Sequence, residues 1–492
     1  LLDWIANARS ADDDIRGDLR KLRARARELA RNNSYIKRYL RLLVANVIGP
    51  AGIRLQALVR KDGKLDTETN AKIEAAWVEW SRGKVTLDGK LALRPLEGLL
   101  LRTLATDGEI CVRFWRGVKT NRFGLALQPI DVDLLDERFN RAARAGSNEI
   151  RLGVEVDSVG APVAYHFWDK PSTATGMVAR NRYRVPADEI VHIYRPDRVN
   201  QTRGVTWLHS IMVAAHMLDA YEESEAIASR VASAKMGFFE KVDPSIGPSL
   251  ASEGTTAKMQ AAPGSFEILE DGYSFKEWAP THPTSQFGAF IKQMGRKIAS
   301  GVSIFSNVLL NDASDVNYSS FRAFALIMRD DWRQVQEDVI DWWRRPIYSE
   351  WIKLALLTGA LRLGSRNPAG YMAVRHRPRG WSAIDPEKEA KGAVLALSNQ
   401  LTSRTSILAE QGIEFEDVLA EIKAETELAA GYGVVLKDSA PVSEPATKDD
   451  VAAIVEDRGN GDGRDDVTET RLSGDHESQK EPVINPALER SR

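Results

Sequence analysis

Apolar residues recur at three- and four-residue steps from the start of the chain. Leu19, Leu22, Ala26, Leu29 and Ala30 share one side of a predicted helix. Its other positions are strongly basic: Arg16, Arg20, Lys21, Arg23, Arg25, Arg27, Arg31, Lys37, Arg38 and Arg41 outnumber Asp18 and Glu28. Such a face is either solvated or set against an acidic partner or DNA. Gly and Pro in NVIGPAG (residues 46–52) end the run. A second helix is expected over about 66–80, with Ile73, Ala76, Trp77 and Trp80 on one face, and a third over 93–106, stopped by Asp107-Gly108. From Glu109 to Tyr194 the period changes to two. Ile110, Val112 and Phe114 alternate with Cys111, Arg113 and Trp115, a strand with two usable faces. Further strands are expected at 125–130, 150–156, 163–168 and 190–194, separated by turn residues such as Ser158-Val-Gly160 and Lys170-Pro171. Helices precede strands without alternating with them, which predicts an α+β fold.

Beyond residue 205 long helices dominate. One is expected over 206–235, about 45 Å long at 1.5 Å per residue. Its second half is lined by Ala226, Ala228, Ser229, Ala232, Ser233 and Ala234, small enough for a close helix–helix seam. Residues 238–278 read as strands and turns, and a helix over about 284–301 follows. A polar loop over 306–317 carries Asn307, Asn311, Asp312, Asp315 and Asn317. A very long helix then starts at Ser319-Ser320 and runs towards Thr358, with a bend expected at Pro346. Trp332, Trp342, Trp343 and Trp351 along it read as core or interface. Asp385 as N-cap and Pro386 as first helical residue begin a helical pair over 385–430. From about Lys437 apolar residues thin out, and a mildly acidic, disordered tail is expected. No internal repeat is visible.

Composition narrows the function classes. The chain has 492 residues, 43% hydrophobic and 28% charged, with a net charge of −2, so it is not basic throughout. A single cysteine, Cys111, leaves no intrachain disulfide and no Cys-rich zinc site, and reads as a small buried apolar residue on a strand. No membrane span and no signal peptide are expected; Asp12, Asp13 and Asp14 stand where a signal peptide needs apolar residues. No Walker-type phosphate loop, H-E-x-x-H or G-x-S-x-G occurs. His209 and His216, seven apart on the expected helix, read as a packed pair. Asp131, Asp133, Asp136 and Glu137 are the densest carboxylate cluster. A Mg²⁺-dependent nuclease built on the three Asp is the alternative enzymatic reading. In the tail, Arg458 to Gly463 with Glu469 nearly fits a calcium loop, but Arg458 puts a cation at its first ligand position. The expectation is a non-enzyme with no catalytic, cofactor-binding or metal-binding residue.

Several segments resemble the portal proteins of tailed double-stranded DNA bacteriophages, in the lambda-like branch. They are residues 22–55, DGEICVR (107–113), LQPIDVD (127–133), VPADEIVHIYRPDRVNQTRGVTWL (185–208) with the helix after it, NYSSFR (317–322), RPIY (345–348), PRGWSAIDPEKEAK (378–391) and LTSRTSILAEQG (401–412). The resemblance implies a ring, typically of twelve subunits, at one capsid vertex. It implies an N-terminal arm and wing over 1–205, stem helices over 206–235 and 284–302 and a β-rich clip over 236–283 between them. A tunnel loop, long helix and returning wing segment follow over 303–384, then a helical crown over 385–432 and the tail over 433–492. Asn307, Asn311, Asp312, Asp315 and Asn317 become tunnel-loop candidates near DNA. Ala226, Ser229, Ala232 and Ser233 become candidates for packing between stems. The implied partners are the terminase large subunit, major capsid and scaffold proteins, head-completion and connector proteins, and double-stranded DNA in the channel. The implied place is the virion, after assembly in the host cytoplasm. A capsid or scaffold protein without a channel is the other non-enzymatic alternative.

Overall fold

The computed structural model describes residues 8–171, 180–233, 237–241, 273–277, 286–314, 316–381, 384–411 and 413–434. The N-terminal helices are α1 (Ala11–Arg16), α2 (Leu19–Asn32) and α3 (Ser34–Val47). What the sequence suggests as one basic helix is broken at Asn33, a buried residue in extended conformation whose carboxamide accepts from the Ile36 amide and caps α3. Strand β1 (Arg54–Ala57) and the hairpin β2 (Arg60–Lys61) and β3 (Lys64–Leu65) lead to α4 (Thr67–Arg82), capped by Asp66, and α5 (Leu93–Asp107). Gly108 ends α5 in the left-handed region, at φ +89°.

Two antiparallel sheets follow. Strands β4 (Glu109–Arg116), β5 (Leu125–Ile130), β6 (Glu149–Arg151), β7 (Val154–Val156), β8 (Pro162–Trp168), β9 (Arg182–Pro186) and β10 (Ile190–Tyr194) make a three-stranded sheet, β10-β4-β5, and a four-stranded one, β6-β7-β8-β9. The single strand expected over 150–156 is a hairpin: Leu152 and Gly153 take positive φ and turn the chain between β6 and β7. The two faces expected of β4 are both used. Ile110, Val112 and Phe114 join the main core. Cys111 joins a second core with Val154, Tyr165, Phe167 and Val185. Arg113 lies 4.6 Å over the Trp115 ring on the half-buried side.

Helix α6 (Met212–Ser233) leaves this body, β11 (Gly237–Lys241) pairs antiparallel with β12 (Tyr273–Glu277), and α7 (Phe287–Gly301) returns. The helix expected from 206 begins only at Met212, so His209 and His216 do not share a helix. His209 sits before α6 with its ring Nδ1 at the Thr206 carbonyl, and His216 is exposed on α6. Helix α8 (Ser306–Leu310) leads to α9 (Tyr318–Val339), a π-helical turn over Ile340–Arg344 and α10 (Arg345–Leu357). Where a bend is expected at Pro346, the helix takes that π turn just before the proline. Proline has no N–H for the carbonyl four residues back and its ring crowds that carbonyl; a wider turn just before it relieves both. Trp332, Trp343 and Trp351 are buried in the main core and Trp342 packs against it.

Strand β13 (Val374–Arg377) returns to pair antiparallel with β1, tying residues some 320 apart, as in Leu55 opposite His376. Helices α11 (Pro386–Ser398), with Asp385 as N-cap, and α12 (Arg404–Glu410) follow. The described residues up to Phe415 form one compact unit; a second begins at Glu416 and holds nearly all of α13 (Phe415–Gly431). The acidic tail and the near-calcium loop lie outside the described residues.

Candidate functional site

The basic residues of α2 divide into two sets. Arg23 and Arg27, four apart on one side, turn inward. Arg23 is buried and donates to Glu109 at 3.1 Å and to Glu137 at 2.5 Å. Arg27 reaches Asp107 (2.7 Å), Asp131 (3.1 Å) and Asp133 (2.5 Å). Part of the acidic partner expected for the basic helix is therefore within the chain. The carboxylates weighed for a nuclease are engaged in it: Asp131 and Asp133 surround Arg27, while Asp136 pairs separately with Arg182. Among the described residues, no three His, Cys, Asp or Glu side chains are arranged to hold a metal ion.

At the centre lies Glu109, fully buried, facing Arg203, also fully buried. Arg203 donates to it from Nε at 2.8 Å and from a terminal nitrogen at 2.6 Å, and gives its remaining arm to the Leu152 carbonyl. The Gly204 amide donates to Glu109 at 3.0 Å, and His192 Nε2 lies 3.1 Å away. Burial pushes the Glu109 carboxyl up, but the Arg203 charge and the hydrogen bonds of His192 and Arg203 outweigh it and hold the group well below the carboxylate range. At Asp107 and Glu97 burial prevails and raises the carboxyls above their usual values, against the pull of Arg27 and Arg344.

Two glycines let these charges meet. A Cβ on Gly204 would stand 2.2 Å from the Gly108 carbonyl oxygen, and one on Gly108 would stand 2.2 Å from the Val205 carbonyl carbon. The motif D-G-E at 107–109 and the motif R-G-V at 203–205 thus cross backbone to backbone, with their charged residues paired on either side. Sequence reading flagged both segments without seeing that they meet, because an ion pair 94 residues apart leaves no local periodicity.

The stem candidates lie on α6. Tyr221 contacts Phe287 and Phe290 of α7. On the outer arc of α6, Val213, Met217 and Ile227 are 68%, 60% and 53% exposed, in line with exposed Ala220 and Ser224. Ala226 is exposed and Ser229 half-buried; the side chains of Ala232 and Ser233 lie outside the described ones. At the base, a Cβ on Gly301 would meet Ile211 at 2.2 Å, and one on Gly295 would meet Leu310 at 2.7 Å, so α7 is held close to the residue before α6 and to α8.

The polar loop candidates are more ordered than a loop. Asn307 sits in α8. Asn311 caps it with φ +57° and accepts from Arg38, which also donates to the Val308 carbonyl. Asp312 accepts from Ser314 and pairs with Lys292 at 3.7 Å; Asn317 caps α9 through the Ser320 amide. Asp315 lies outside the described residues.

Comparison with known proteins places this arrangement. The sequence model of the phage portal proteins of the lambda family matches residues 1–336. The probable portal protein of Halomonas phage phiHAP-1 is 33% identical over 428 residues, 85% of this chain and 82% of its own length. Portal protein B of Escherichia phage lambda is 21% identical over 476 residues, 87% of each chain. The solved neck of an empty gene transfer agent particle aligns over 79% of this chain and 93% of its own, at 14% identity and a TM-score of 0.43. With a family model over more than half its length and a relative of 33% identity along most of it, the chain belongs to the lambda family of phage portal proteins and is a subunit of the portal vertex.

Proposed function

We propose that copies of this chain, typically twelve, close into a ring whose bore passes double-stranded DNA into the capsid during packaging and out during ejection. The observation that carries this reading, beside the family, is the excursion made by α6, the β11–β12 pair and α7. It is rooted on one body and carries an unpartnered apolar row on its outer arc. Such a row on every copy suits a repeating contact with a neighbour, and a heterologous contact closes a ring when its rotation divides the circle. Ala226, Ser229, Ala232 and Ser233 belong to the same helix at positions turned away from that row, and are proposed to pack in a separate seam between stems.

Residues 236–283 are proposed as the docking clip for the terminase large subunit and later for head-completion and connector proteins; capsid and scaffold proteins surround the ring. Assembly takes place in the host cytoplasm. The chain supplies no driving energy of its own; the terminase does that. Residues 303–317 are proposed to approach the DNA. A conduit works best without strong phosphate contacts, since each neutralised phosphate adds affinity by counterion release. The candidate side chains here are three Asn and two Asp, and the nearby cation Lys292 is paired with Asp312.

Negative-stain images of purified protein test the proposal. Rings with a central hole are the expected result, and their consistent absence across salt and concentration would overturn it.

A further inference from the structure

The outward side of α2 is strongly charged. Arg20, Lys21, Arg25 and Arg31 are exposed, and among the described residues no hydrogen bond or ion pair engages them. At about 100° per residue they cover about 140° of the helix surface, over about 16 Å of its length. Arg16 before them and Lys37 and Arg41 on α3 are likewise exposed and unpaired. Between residues 16 and 41 only Asp18 and Glu28 are acidic. The neighbouring carboxylates Asp107, Asp131, Asp133 and Glu137 lie on the inward side and are engaged by Arg23 and Arg27.

We infer that this face binds the phosphate backbone of duplex DNA, without sequence preference and outside the bore. Two observations favour nucleic acid over an acidic protein. Five of the seven cations are arginines, whose planar forks match phosphate oxygens in pairs. No large apolar side chain is exposed anywhere in the described chain before Leu65, so the face lacks the apolar or aromatic anchor on which a protein partner normally depends. Strong phosphate contacts would brake DNA in a channel, which places this face where DNA is held and not threaded. The charged face of α2 is present on each single copy, whether or not copies form a ring.

A closed circular duplex separates the two, because it cannot thread a preassembled ring. The full chain is titrated with a fluorescent DNA minicircle across 50–300 mM salt, beside the variant R20Q/K21Q/R25Q/R31Q and the charge-keeping variant R20K/R25K/R31K. Glutamine keeps helix propensity, and the changed side chains are exposed and make no hydrogen bond or ion pair among the described residues. We expect log-linear salt dependence in the unmodified chain and an at least tenfold weaker complex for the glutamine variant at the lowest salt. Its salt slope should be shallower by about 0.9 for each lost phosphate contact, and the lysine variant should keep the original slope while binding more weakly than the unmodified chain and more tightly than the glutamine variant. No minicircle binding by the unmodified chain, unchanged affinity and slope in the glutamine variant, or displacement of DNA by poly-glutamate at equal charge concentration would each overturn the inference. Ring images collected on the same samples report separately on the channel.

Discussion

Glu109 is held by two arginines, a histidine and a backbone amide in a place without water access. Removing one member of such a cluster leaves the others charged and unpaired. Glu109→Gln should therefore destabilise the protein by about 3–5 kcal/mol, seen as a lowered midpoint in urea unfolding, and Arg203→Gln by a similar amount. Gly204→Ala should lower the yield of folded protein sharply, since the added carbon falls within 2.2 Å of a backbone oxygen. His376 is a different case. Both its ring nitrogens are buried without hydrogen-bond partners, and burial, then the charges of Arg344 and Arg345, push it down to about 3. The unfolded chain takes up that proton near pH 6.5, so its stability is lost as pH falls from there towards 3. Glu155, held at about 2 chiefly by the Arg184 hydrogen bond, adds a separate loss between pH 4.5 and 2. His376→Gln should flatten the upper part of the stability–pH curve and leave the lower part, as read by thermal melts at half-unit pH steps.

Among the elements, those carried by local chemistry were legible in the sequence. Asp385 as a cap, Gly108 as the stop of α5 and the two faces of β4 all follow from neighbouring residues. Elements made by distant pairing were not. Strand β1 exists because β13 arrives more than 300 residues later, and its four residues carry no alternation of their own. The hairpin of β6 and β7 was read as one strand because Val154 and Val156 continue the apolar run through the turn. In the candidate site, residue types were legible and their partners were not: the spacing of Asp131 and Asp133 suits metal ligands, but Arg27 occupies the place between them. The Gly295 contact is testable at this scale. Gly295→Val drives a branched side chain into that of Leu310, which must shift rotamer or push α8 away from α7. Overpacking of this kind costs about 1–3 kcal/mol, and differential scanning fluorimetry should show the melting temperature fall by several degrees.

For the whole molecule, a net charge of −2 hides a segregation of charge. Acids and bases cancel in the buried crossing, and the uncancelled cations are left on the outer side of α2. Proteins of near-zero net charge self-associate without large repulsion, which suits a ring of many copies. If the apolar row of α6 forms the contact between copies, Met217→Asp should shift the protein from rings to single subunits in analytical ultracentrifugation while its melting temperature stays nearly unchanged, because the side chain is exposed.

The crossing of D-G-E and R-G-V also sets an order in time. A ribosome delivers Arg23 and Glu109 long before Arg203, and 94 residues separate the last two. Until Arg203 emerges, Glu109 lacks its closest counter-charge, and the sheets between them cannot seal. The N-terminal body therefore locks only when roughly its first two hundred residues are available together. A nascent chain halted before Arg203 has cleared the exit tunnel is expected to remain open to protease, whereas one halted far enough beyond Thr206 for that arginine to emerge has every charge of the crossing in hand.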